Sequence, residues 1–85
     1  MEFEQLWRKI GSLPNRDMSG AKFKNSIIRG VFNRLDLSAA EGNVKIVSEF
    51  TNILDVSGSP GISLELEGRF NIVDLSGSRV LALNI

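Results

Sequence analysis

The sequence repeats itself every 19 residues. Asn71-Ile72-Val73-Asp74-Leu75-Ser76-Gly77-Ser78 has a close copy at Asn52-Ile53-Leu54-Asp55-Val56-Ser57-Gly58-Ser59. A looser copy stands at Asn33-Arg34-Leu35-Asp36-Leu37-Ser38-Ala39-Ala40, and one step further back is Asp17-Met18-Ser19-Gly20-Ala21. Repeats of roughly 20 to 50 residues mark stacked structural units. Two arrangements answer this one. The copies stack as rungs of a short solenoid, or one type of strand-to-turn corner recurs in a compact fold.

Electrostatics weighs against strict stacking. It would set Asp17, Asp36, Asp55 and Asp74 in a column at the ~4.8 Å strand spacing. Each neighbouring pair would then repel by about 0.9 kcal/mol even in a water-like dielectric. In the corner arrangement each Asp and Ser binds nearby backbone N–H groups, and the small residue takes a positive φ.

The segments between the copies also differ in character. Phe3, Leu6, Trp7 and Ile10 fall on one face of a helix that Gly11 ends. Phe23, Ile27, Ile28, Val31, Phe32 and Leu35 form a second helical stripe over residues 21–35, with Asp17 or Ser19 as its cap. Ile62-Ser63-Leu64-Glu65-Leu66-Glu67 instead alternates as a half-buried strand, and Val80 to Ile85 reads as a last one. Residues 38–54 carry both signals. Ser38 and Glu41 have capping-box spacing, whereas Val44-Lys45-Ile46 alternates, and the β-branched content favours a strand over 43–50. Phe70-Asn71-Ile72 and Val73-Asp74-Leu75 alternate in opposite phase, which requires a bulge or bend near Ile72-Val73.

The expected fold is therefore α+β in a single domain over residues 1–85. Two N-terminal helices (residues 1–36) pack on a small, mostly antiparallel sheet formed by residues 43–85. The alternative is a short β-solenoid of four 19-residue repeats with an N-terminal helical cap. The run Phe32-Asn33-Arg34-Leu35-Asp36-Leu37-Ser38 resembles a leucine-rich repeat, but Ala40, Ser59 and Ser78 stand where that family places an asparagine ladder. Residues 16–25 resemble two tandem pentapeptide repeats. Both resemblances imply stacked units.

Composition narrows the chemistry. The chain has no Cys and no His, which excludes disulfides, thiolate nucleophiles, the usual zinc sites and histidine triads. No phosphate-cradling or dinucleotide-binding motif is present. Glu65 and Glu67 share a strand face, but so small a chain offers no cleft of the kind a glycosidase needs, and they read as a solvated face. No catalytic residue, cofactor or metal is expected. The acidic start Met1-Glu2-Phe3-Glu4 is unlike a secretion signal, and no run approaches the roughly 18 apolar residues that span a bilayer. The expectation is a soluble, cytoplasmic protein.

Charge is unevenly placed. Residues 1–34 hold seven Lys or Arg against three acids, and residues 35–85 hold three against seven. The basic set Arg8, Lys9, Arg16, Lys22, Lys24, Arg29 and Arg34 is the one constellation with the chemistry of a binding surface, for a polyanion or an acidic partner. The chain also closes on an apolar strand, and such an edge invites pairing. The functional expectation is a non-enzymatic interaction or assembly module that associates with itself. The alternative is a small nucleic-acid-binding regulator that uses 21–35 as a basic amphipathic helix.

Overall fold

The computed structural model describes residues 13–85. Among them there is no helix, and every strand pairing is parallel. Six strands follow in order: β1 (Asn15–Asp17), β2 (Lys22–Arg29), β3 (Phe32–Asp36), β4 (Glu41–Asp55), β5 (Gly61–Asp74) and β6 (Val80–Asn84). The expected α+β arrangement, with helices over 1–36 and an antiparallel sheet, is overturned. The 21–35 stripe lies on β2 and β3. The fold is the alternative, a parallel β-solenoid of four rungs. The helix read over residues 3–10, and with it any helical cap, falls outside the described residues.

The pairing shows how the chain winds. Asp55 ends β4, yet Gly61 already lies beside Glu41 at the start of that strand. The chain must therefore fold back within each rung. A rung is a short segment, a corner and a long segment. The short segments are β1, β3, the end of β4 and the end of β5, and they pair with one another. The long segments are β2, the start of β4, the start of β5 and β6. Rungs at the ~4.8 Å strand spacing account for an 18 Å dimension of the molecule, so the 38 Å dimension is the width of a rung.

The core consists of columns that run through the rungs. Leu35, Leu54 and Val73 form one, Phe32, Thr51 and Phe70 a second, and Ile28, Ile46 and Leu66 a third. Leu35, Leu37, Ile46, Leu54, Val56 and Ile62 are wholly buried. Inside the bend of β4, Thr51 Oγ1 donates to Ser48 Oγ at 2.7 Å, so two buried hydroxyls satisfy each other. Burying them unpaired would cost about 1–3 kcal/mol each.

The helical stripe was an imitation. In β2 and β3 the inward residues are Phe23, Ser26, Ile28, Phe32 and Leu35, set by pairing with buried neighbours. A bulge after Phe23, with Asn25 at φ 49°, breaks the alternation. The bend at Gly30-Val31 and the outward pair Asn33-Arg34 break it again. The resulting intervals of two, three and four residues mimic a 3.6-residue period. Ile27 and Val31 completed the stripe but are exposed, at 56% and 37%. The expected phase change near Ile72-Val73 falls one residue earlier, where Asn71 and Ile72 both turn outward.

Two backbone positions limit substitution. Ala39 sits at φ 57°, the place that Gly20, Gly58 and Gly77 occupy in the other corners. Left-handed backbone costs a non-glycine residue roughly 1 kcal/mol. Ala39→Gly is expected to stabilise the protein by about that amount in a denaturant titration. At Gly68 (φ 117°) an added Cβ would lie 1.6 Å from the Ser48 carbonyl oxygen. Gly68→Ala is expected to destabilise by at least about 2 kcal/mol in the same measurement.

Candidate interface at the ends of the solenoid

Each rung turns through the same corner. The aspartate carboxylate accepts the amide of the serine two residues on: Ser19 to Asp17, Ser38 to Asp36, Ser57 to Asp55 and Ser76 to Asp74, at 2.9–3.0 Å. Such a side-chain-to-backbone bond makes an Asx turn. The residue after the serine has positive φ. In three of the corners the next amide closes a four-residue turn, as Ala40 N–H does onto the Leu37 carbonyl at 3.0 Å, the pattern of a type II turn.

The corners also stack. Met18, Leu37 and Val56 amides donate to the Asp36, Asp55 and Asp74 carbonyls of the next rung at 2.6–2.8 Å. Gly20, Ala39 and Gly58 amides donate likewise to the Ser38, Ser57 and Ser76 carbonyls at 2.8–3.0 Å. These six bonds run from an N–H in one rung to a carbonyl in the rung that follows, whereas Glu41 and Arg79, just after their corners, donate back to the Ala21 and Ser59 carbonyls. At the opposite end of each rung, Asn33 Nδ2 donates to Asn15 Oδ1, Asn52 to Asn33 and Asn71 to Asn52, at 2.9–3.2 Å. An asparagine ladder thus exists, on the asparagines that open each repeat. At Ala40, Ser59 and Ser78 the serines bridge rungs instead: Ser59 Oγ donates to the Ala40 carbonyl and Ser78 Oγ to the Val56 carbonyl.

The aspartates do stand in a column, in register across the rungs. Local hydrogen bonds outweigh their repulsion. The Ser57 hydroxyl, then its amide, hold the Asp55 carboxyl below the ordinary aspartate range, assisted by Arg34 and opposed by burial and by the Asp74 charge. Ser76 lowers Asp74 in the same way, and Ser19 lowers Asp17. Arg34 forms an ion pair with Asp55.

Of the basic residues, Arg16, Lys22, Lys24 and Arg29 stand on the first rung and Arg34 on the second. Arg8 and Lys9 lie outside the described residues. Lys22 reaches Glu41 at 3.8 Å, and Arg34 is taken by Asp55. Lys24 is exposed beside the bulge of β2. Arg16 and Arg29 flank a recess at the first rung, together with Met18, Phe23, Ser26 and Ile28. The basic amphipathic helix that carried the nucleic-acid reading is a strand, and its cations are split between rungs. Glu65 and Glu67 are exposed on β5, and Glu65 pairs with Lys45 at 3.7 Å. No group of three or more acids among the described residues is placed to hold a metal ion. No helix among them is long and apolar enough to cross a membrane.

What remains is the pair of ends, termed head (first rung) and tail (last rung). At the tail, Val80 continues the column of Ile62, and Leu83 that of Val44 and Leu64. Ile85 follows Asn84, the partner of Glu65, and so continues the column of Ile46 and Leu66. These positions are buried in the middle rungs. At the tail Leu83 is 44% and Ile85 86% exposed. Composition hid this surface, because Leu83 and Ile85 look like core residues. The period of the repeat was the signal, since counting back 19 residues from Leu83 reaches Leu64.

The fold and its interior define the class as a parallel β-solenoid with stacked Asx corners and an asparagine ladder. No family model matches the chain, and no curated protein and no solved structure proves similar to it.

A group whose folded-state pKa is depressed adds stability above its unfolded value, and that stability is lost as pH falls through the folded one. The lowered carboxyls of Asp17, Asp55 and Asp74 therefore predict full stability near neutrality and a falling melting temperature over roughly pH 5 to 2. The double substitution Ser57→Ala and Ser76→Ala should shrink that fall, as read by circular dichroism melts across pH. An unchanged fall in the variant contradicts the role given to the corners.

Proposed function

We propose that the protein is a non-enzymatic assembly unit whose partner is a further copy of itself, docked end-on. The reading rests on the tail, where residues in core columns face solvent. Leu83 and Ile85 lie on or just beyond β6, and among the described residues β6 has a partner strand on one side only. Among the same residues the last short segment, at the end of β5, likewise has a partner on one side only. Such edges offer unpaired N–H and C=O groups beside an apolar surface, the combination that drives strand addition.

Size supports the same reading. An end of 38 by 18 Å offers on the order of 700 Å², so that docking would bury roughly 1,400 Å² in total, within the range of specific interfaces. Repeat folds of this kind need their terminal rungs covered.

Sedimentation velocity over a concentration series tests the proposal. Association is expected in the micromolar range, and Leu83→Lys should weaken it at least about tenfold. A parent chain that stays monomeric at roughly 100 µM, where even a weak contact is populated, contradicts the proposal.

A further inference from the structure

We infer that this docking is head to tail, so that the first rung of one copy forms the next rung of another. The inference rests on the self-assembly proposed above and adds its direction. At the corners, along the asparagine ladder and in charge, the ends of this solenoid are complementary to each other and not to themselves.

The corner amides set the first condition. Inside the chain the amides at the second and fourth positions of each corner donate towards the tail, and the carbonyls of the corner aspartate and serine receive them from the head side. The last corner therefore presents the Leu75 and Gly77 amides, the equivalents of Val56 and Gly58, without a backbone acceptor among the described residues. The first corner presents the Asp17 and Ser19 carbonyls, the equivalents of Asp36 and Ser38. Head-to-tail stacking places donor on acceptor at both points. Tail-to-tail contact sets donors against donors, and a buried unpaired N–H is costly.

The asparagine ladder adds a second condition. Each Nδ2 donates headward to the preceding Oδ1. A ladder of amides is polar whichever way it is oriented, leaving a donor at one end and an acceptor at the other. Asn15 and Asn71 are those ends, and only head-to-tail contact joins them.

Charge adds a third. Residues 13–48 carry six Lys or Arg against three acids, and residues 49–85 carry two against five. The head half is net +3 and the tail half net −3. Opposite halves attract when copies stack in one direction, and like halves meet in either two-fold arrangement. The apolar columns also continue: Met18 follows Leu75, and Phe23 follows Val80. Arg16 would lie over Val73, its apolar stem covering the valine and its guanidinium at the rim.

A contact of this type does not close on itself and yields rows of copies, each adding about 19 Å at the strand spacing. Two variants separate the possibilities. The head variant carries Arg16→Glu and Arg29→Glu, both at exposed positions. The tail variant carries Leu83→Lys and Ile85→Lys, also exposed. In sedimentation velocity the parent chain is expected to form a series of species that lengthens with concentration. Each variant alone should remain monomeric. Their equimolar mixture should form a dimer and stop there, which also shows that each retains one folded end. Dimers of the head variant alone would overturn the direction while leaving self-assembly standing. A monomeric parent chain would overturn both. A mixture that stays monomeric, with each variant keeping the parent's far-UV spectrum, would overturn the direction. If the tail variant loses that spectrum, Leu83→Ser replaces it under the same criteria.

Discussion

Everything in this structure depends on the aspartate's hold on the amide two residues ahead. That bond turns the chain at a fixed point of every repeat, and it uses a carboxylate that would otherwise repel its neighbours in the column. The corner then exposes two amides along the solenoid axis, and these bond to the carbonyls of the next corner. Turn chemistry and rung stacking are thus one device. Because it fixes register at one end of each rung and the asparagine ladder fixes it at the other, the apolar columns between them line up. A slip of one residue would turn every column outward.

The repeat, the corner and the C-terminal alternation were legible in the sequence, because each is local. Ile62, Leu64 and Leu66 alternate without interruption and read as a strand at once. The first rungs were not legible, for a physical reason. A solenoid strand must bend within the rung, and each bend inserts residues into a period of two. In Phe23 to Leu35 a bulge at Asn25 and a bend at Gly30-Val31 shift the apolar positions into helical spacing. Ile27 and Val31, apolar but outward, complete the illusion. The objection to stacking failed for another reason. Each carboxylate accepts the amide of the serine two residues on, and Asp55 also holds Arg34. The net effect is a lowered carboxyl pKa at Asp17, Asp55 and Asp74, so the serine hydrogen bonds favour the charged form more than the neighbouring charges oppose it.

The candidate site was half visible. Seven cations marked the early part of the sequence, and the charge asymmetry they create survives in the fold as opposite halves along the axis. Of the five that are described, Arg16, Lys22, Lys24 and Arg29 stand on the first rung and Arg34 on the second, with Lys22 paired to Glu41 and Arg34 to Asp55. The ladder of Asn15, Asn33, Asn52 and Asn71 was written in the repeat but has meaning only once the copies stack. A parallel solenoid gives such features direction. Its ends differ chemically even where its middle rungs are alike, and that difference carries the assembly proposed for this protein.

In this fold residues 19 or 20 apart are neighbours in parallel register. Proton–proton contacts in a nuclear Overhauser spectrum test it most directly. Cross-peaks joining Leu35 to Leu54, Leu54 to Val73 and Ile46 to Leu66 are expected. Contacts between residues three apart running through 22–35, without those cross-peaks, would contradict it.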